Sequence, residues 1–166
     1  MKLLIKSRKD IEKMSQKPFS EHTVLISITD AEGDYATLAY KPEHILQVAF
    51  NDIDNDVLID EVGYAPTEEE RQAVEEKYRM FSDEQARQVA EFYLAVKDTA
   101  EVVICQCEHG QSRSAAVAAA ILEYRSKKGI QIFAHDKYYP NKVVFRKVLN
   151  ELTHAESNVT KKYYIN

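Results

Sequence analysis

Between Val102 and Leu122 a β-branched apolar stretch, Val102-Val103-Ile104-Cys105, passes through Gln106 into a short polar loop. It continues at once into eight consecutive apolar residues, Ala115–Leu122. The first stretch has the length and β-branched content of a buried strand. The second is far short of the roughly 20 residues that span a bilayer, so it reads as a buried helix. A buried strand feeding a buried helix through a tight loop places this segment at the centre of whatever the chain folds into.

Other short apolar runs bounded by polar residues mark further strands at Leu3–Ile5, Thr23–Ile28, Ile45–Phe50 and Val102–Cys107. The helices announce their ends. Ser82 followed by Gln85 is a capping-box pattern that opens a helix from about Asp83 to Lys97, with Ala86, Val89, Ala90, Tyr93 and Val96 at helical spacing. Thr67 followed by Glu70 opens another from about Glu68 to Met80. A third runs from about Ser112 to Lys128, closed by Lys127, Lys128 and Gly129, and the last begins near Pro140 and continues through Leu152. Strands interleaved with helices predict an α/β domain with a central, mostly parallel sheet flanked by helices. No repeat, low-complexity tract or long linker divides the 166 residues, a length that buries a core without disulfide or metal staples.

Composition removes several functions. The net charge of −5 argues against general nucleic-acid binding, which depends on Lys and Arg neutralising phosphates. Met1–Ser7 holds too few apolar residues for a signal-peptide core, and no membrane association is expected. The two cysteines, Cys105 and Cys107, lie two positions apart on one strand, at the outer limit of disulfide reach. A reduced, cytoplasmic thiol protein is the expectation. The charge is also uneven: Asp52 to Glu84 carries a net −9, leaving +4 on the remaining 133 residues. A solvated acidic surface explains such a run without further function.

The loop carries the chemistry. In Cys107-Glu108-His109-Gly110-Gln111-Ser112-Arg113-Ser114 the backbone N–H groups can turn inward around a tetrahedral anion, and the first turn of the following helix adds unpaired N–H groups and the positive end of its dipole. Gly110 permits a dihedral that a side chain resists. Arg113 offers a planar fork for two phosphate oxygens, which Lys does not reproduce. The same field favours the thiolate of a cysteine at the loop's floor, and thiolate is the nucleophilic form. A bound phosphoester presents its phosphorus to that sulfur, and a cysteinyl-phosphate follows without a metal.

Cys107, Arg113 and Ser114, with Gly110 and Ser112 between, resemble the phosphate-binding loop of the cysteine-dependent protein tyrosine phosphatase superfamily, most closely its compact dual-specificity-like members. A cysteine with an arginine six positions on is common by chance. Requiring Gly110, Ser112 and Ser114 as well, at about 7% usage each, lowers coincidence by roughly a few thousandfold. The resemblance implies that Cys107 is the nucleophile and Arg113 the phosphate grip. It implies that Ser114 assists the thiolate as leaving group, with Glu108, His109, Gly110, Gln111 and Ser112 completing the cradle. It also implies a phosphorylated protein or small phosphoester as substrate and no cofactor. One residue departs from the pattern: the family commonly has His before the nucleophile, and this chain has Gln106, which donates a hydrogen bond but carries no charge. On that departure, or on a misplaced acid, rests the alternative of a phosphate-binding module, a pseudophosphatase that grips phosphorylated partners without turning them over.

By the same resemblance Val48-Ala49-Phe50-Asn51-Asp52 looks like the strand ending in the general acid. Asp52 is the first choice and Asp54 the second, since alternation points both the same way. Asp52 precedes Cys107 by 55 positions, more than is usual in compact members, so an inserted acidic helix is expected at about 57–81. Tyr64 and Phe81 are its candidate substrate contacts. Tyr139-Pro140-Asn141 resembles the family's lead into the last helix, where an Asn commonly buttresses the loop; the residues themselves read as a Pro at a helix start and an Asn near its cap, with Val144, Val148 and Leu152 as core, and that structural role is preferred. A zinc set of Cys105, Cys107 and His109 lacks a fourth ligand nearby, because His22, His44, His135 and His154 are scattered singly. Cys105 reads better as a small buried hydrophobe, with a redox partnership to Cys107 as the lesser role, and His109 as a solvent-facing or anion-attracting residue.

Overall fold

The computed structural model describes residues 1–163, with side chains through residue 155. Four strands, β1 (Lys2–Ser7), β2 (Thr23–Thr29), β3 (His44–Ala49) and β4 (Val102–Cys107), form one parallel sheet in the order β1-β4-β2-β3. Every connection between successive strands is therefore a crossover. The register places Lys2 and Thr23 on either side of Val102, and Ser7 beside Cys107. All four carboxyl ends lie along one edge of the sheet, where α/β proteins place their ligand crevice.

Helices cover both faces. On one side α4 (Asp83–Val96), α5 (Arg113–Ser126) and α7 (Lys142–Tyr163) pack over Val24, Ile26, Ile28, Val48, Val103 and Cys105. On the other, α1 (Arg8–Met14) seats Ile11 against Leu25 and Ile104. Alternation along β4 thus sends Val103, Cys105 and Cys107 to the larger core and Ile104 to the α1 side. Helix α5 is buried without interruption from Arg113 to Ile121, which explains its continuous apolar run. The small alanines let it lie close to the sheet.

The expected capping boxes are present: Ser82 Oγ accepts from Gln85 N–H at the start of α4, and Thr67 Oγ1 accepts from Glu70 N–H at the start of α3 (Glu68–Lys77). Each cap satisfies a helical N–H that otherwise lacks a partner and is worth about 1 kcal/mol. Several boundaries differ from expectation. The last helix starts at Lys142, because Asn141 caps it, its Oδ1 accepting from Val144 N–H at 3.0 Å. Strand β3 stops at Ala49, so Asp52 lies in the loop beyond the strand. In place of one inserted helix the 57–81 region holds most of α2 (Asn55–Val62) and all of α3, joined at Gly63 and packed through Leu58, Val74 and Met80. Phe81 is 1% exposed and packs against Phe50 in a tilted arrangement with ring centroids 4.5 Å apart, so it belongs to the core and cannot be a substrate contact. Tyr64 is exposed. The short α6 (Ile130–Phe133) links α5 to the final helix. Among the described residues no helix is long and apolar enough to cross a membrane.

Candidate active site

Cys107 ends β4 with its sulfur buried, and Arg113 opens α5. Residues 108–112 turn between them. Gly110 holds the turn at φ +69°, in the left-handed region. A Cβ there would lie 2.6 Å from the Ser7 nitrogen and 2.7 Å from the Lys6 carbonyl carbon, so the loop is pressed against the β1–α1 junction. Its flanks are tied as well: Arg8 N–H donates to the Glu108 carbonyl at 3.1 Å, and Tyr139 N–H to the Gln111 carbonyl at 2.9 Å.

Glu108, an acid in a loop proposed to hold an anion, is engaged elsewhere. Arg8 Nε donates to its Oε2 at 2.6 Å, which neutralises it and pins the loop. His109 and Gln111 are exposed at the rim. Ser112 precedes α5 without capping it, and its hydroxyl donates instead to Asp52 Oδ1 at 2.8 Å. The first N–H groups of α5 therefore receive no side-chain cap.

Arg113 is 4% exposed. Its Nη1 donates to the Phe50 carbonyl at 2.8 Å and lies 2.7 Å from Asp30 Oδ1. Its Nε is 3.8 Å from Asp52 Oδ2, with no hydrogen bond. That Nε is the one buried side-chain N or O atom without a partner among the described residues. Buried donors are nearly always paired, so an unpaired one beside a glycine loop and a helix N-terminus marks where an anionic acceptor fits.

Cys107 Sγ sits 3.0 Å from Ser114 Oγ, and both are buried. Gln106 is on the opposite face of β4. Its Oε1 accepts from Ser27 Oγ at 2.7 Å, so the residue that departs from the family pattern is a satisfied strut between two strands. Cys105 is fully buried, and burial, with a smaller contribution from Cys107, pushes its thiol up, leaving it the neutral small hydrophobe expected of it. No group of three His, Cys, Asp or Glu side chains among the described residues could hold a metal ion.

The two acid candidates separate. Asp54 caps α2, its Oδ1 accepting from Asn55 N–H at 2.7 Å, with Lys142 N–H 3.4 Å from its Oδ2. Asp52 faces the loop, and its Oδ1 accepts both from Ser112 and, at 3.1 Å, from Asn141 Nδ2. The same Nδ2 donates to the Ile53 carbonyl at 3.0 Å, so Asn141 holds the acid-bearing segment as well as capping α7. Alternation fails here because the chain leaves the strand at Ala49.

No family model matches the chain, and no curated protein does. Solved structures do. Human DUSP28 is 16% identical, with 94% of each chain covered and a TM-score of 0.50. A putative dual specificity phosphatase from mouse, crystallised in complex with zinc tungstate, is also 16% identical, with 95% of this chain and 86% of that one covered and a TM-score of 0.51. The chain has the dual-specificity phosphatase fold. In that fold the crevice at the carboxyl ends of the strands holds Arg8, Asp30, Asp52 and Cys107, each at or shortly after the end of a different strand. Arg8 and Asp30 were not singled out from the sequence. The signal that could have found them is their place as charged residues immediately beyond strand candidates, which a parallel sheet gathers at one edge.

Proposed function

We propose that the protein is a phosphomonoester hydrolase of the protein tyrosine or dual-specificity type, working through a cysteinyl-phosphate. The observation that carries the reading is the buried, unpaired Nε of Arg113, set in one loop with the Cys107 sulfur and bracketed by Asp52. The fold supports it, and so does the tungstate of the mouse protein, a tetrahedral oxyanion like phosphate.

In the first step the Cys107 thiolate attacks phosphorus, an S–P bond forms and the ester P–O bond breaks. Asp52, protonated, delivers its proton to the departing oxygen, which leaves as an alcohol or phenol. Arg113 and the loop N–H groups hold the equatorial oxygens through the transfer. In the second step a water attacks phosphorus and gives its proton to the Asp52 carboxylate. The S–P bond breaks, inorganic phosphate leaves, and the Ser114 hydroxyl donates a hydrogen bond to the sulfur as it regains negative charge. Gln106, occupied by Ser27, takes no part in either step. Because the chemistry requires a free thiol, a reducing compartment such as the cytoplasm suits it, with a phosphorylated protein or small phosphoester as substrate.

Hydrolysis of an aryl phosphate without added metal tests the proposal. The wild type should turn over, Cys107→Ser should lose all measurable activity, and Asp52→Asn should lose about 10²–10⁴-fold on a poor leaving group and far less on a good one. No turnover by the wild type, or equal turnover by Cys107→Ser, overturns it. In the first case, tight phosphate binding by the inactive protein would support the pseudophosphatase reading.

A further inference from the structure

The acidic α2–α3 segment takes no part in the chemistry above, yet its end lies beside the proposed acid. Helix α3 buries only Val74 among its ten residues, so hydrophobic packing alone does not hold it. Ion pairs and hydrogen bonds do. On the body side, Lys147 of α7 donates to both Glu75 carboxylate oxygens at 2.9 Å and to the Phe81 carbonyl at 3.0 Å. On the site side the two carbonyls at the end of α3 converge on one residue, Asn51.

Asn51 sits between Phe50, whose carbonyl holds Arg113, and Asp52. Its backbone N–H donates to the Arg79 carbonyl at 2.9 Å, and its Nδ2 to the Tyr78 carbonyl at 3.0 Å. Its Oδ1 accepts from Ala31 N–H at 3.2 Å, one residue past the Asp30 that touches Arg113. Its own carbonyl accepts from Ile53 N–H at 2.9 Å, closing the backbone tightly around Asp52. Four polar groups of one residue thus join three segments.

The geometry at the far end fits the same purpose. Tyr78 caps α3, and Arg79 follows at φ +48°, a left-handed conformation disfavoured for a residue with a side chain. That turn brings both carbonyls round to Asn51. Arg79 is further tied to the β2 exit by its ion pair with Glu32 at 2.9 Å. Strained backbone that the surroundings hold in place is characteristic of sites where geometry matters.

We propose that Asn51 is a positioning residue for the general acid, and that the α2–α3 segment is a fixed brace acting on Asp52 through it. The inference rests on the reading of Asp52 given under the proposed function. The brace runs from Lys147 through Glu75 and the end of α3 to Asn51, and so to the backbone that carries the carboxyl group.

Asn51→Ala tests it with two aryl phosphates, one with a good and one with a poor leaving group. The variant should keep kcat/KM within about threefold on the good one and lose about 10–100-fold on the poor one, where proton delivery limits the rate. In an Asp52→Asn background it should add no further loss. Equal losses on both substrates, or a further loss in the double variant, would overturn the positioning role and leave a general structural one. A second measurement does not depend on turnover. Amide hydrogen exchange in residues 50–56 and 76–80 should accelerate together in Asn51→Ala, with α5 unchanged; unchanged exchange in 50–56 would overturn the brace. Absence of hydrolysis by the wild type, by contrast, would defeat the phosphatase reading while the exchange result still decides the brace.

Discussion

Gly110→Ala separates two costs that the loop imposes on any side chain at this position. The first is conformational: a residue with a Cβ at φ +69° carries a penalty of about 1–2 kcal/mol. The second is steric. The new methyl would sit 2.6 Å from the Ser7 nitrogen, 2.7 Å from the Lys6 carbonyl carbon and 3.0 Å from the Lys6 oxygen, all backbone atoms of the sheet's edge strand and its junction with α1. Backbone held in a parallel ladder cannot step aside as a flexible side chain can, so overpacking adds about 1–3 kcal/mol. Together they reach about 2–5 kcal/mol, or roughly 4–20 °C in Tm for a domain of this size. Gly63→Ala gives a conformational cost of another kind, because Gly63 has φ +82° and ψ −169° but no atom within 4 Å of its missing Cβ. That region is essentially reserved for glycine and costs a residue with a side chain about 1–3 kcal/mol, roughly 2–12 °C. Thermal melts followed by circular dichroism measure both variants. If Gly110→Ala lowers Tm by less than about 4 °C, the loop is not pressed against β1 and the reasoning fails.

Lys147 is 7% exposed and faces Glu75 and Asp83, so Lys147→Met should destabilise the protein by about 3 kcal/mol in urea unfolding. The value lies at the low end for a broken buried pair because Arg71 still reaches Glu75 at 2.5 Å; a loss under about 1 kcal/mol would show that the pair is not energetically buried. Acid should weaken the same network. Burial raises the Asp83 carboxyl, but Lys147 and Arg71 outweigh it and hold the group below the usual carboxylate range. A depressed folded-state value means that its stabilisation is complete above about pH 4, the unfolded value, and is lost as pH falls through the folded one. Urea midpoints should therefore separate wild type from Asp83→Asn near neutral pH and converge below about pH 4. A gap that stays constant across that range would refute the assignment.

The parts of the fold legible along the chain were those whose causes are local. The capping boxes at Thr67 and Ser82 need only residues three apart, and both are present. The four strand runs were readable from their apolar content. Helix α1 was missed because its seven residues bury only Ile11, too little pattern to detect. Helix α2 is not distinguished from α3 in the sequence because Asp54, its cap, has Val57 three residues on where Thr67 and Ser82 have Glu70 and Gln85. Phe81 reads as a candidate substrate contact only because an aromatic at the end of an acidic segment carries no mark of which way it turns; its packing on Phe50, 31 residues earlier, depends on tertiary structure.

The site divides the same way. Cys107 to Ser114 is contiguous, and a strand, a glycine turn and a helix start dictate its shape within eight residues, so the sequence alone determined the loop and the order of its parts. What surrounds the loop was decided by the sheet. The order β1-β4-β2-β3 brings Arg8, Asp30 and Asp52 to the strand that ends in Cys107, although 55 to 99 positions separate them from it. Which of Asp52 and Asp54 faces the loop, whether Glu108 is free or paired, and what Gln106 touches all depend on neighbours contributed by other strands and helices. A side chain's chemistry is written in its own residue; its partner is set by contacts that exist only once the crossovers have closed.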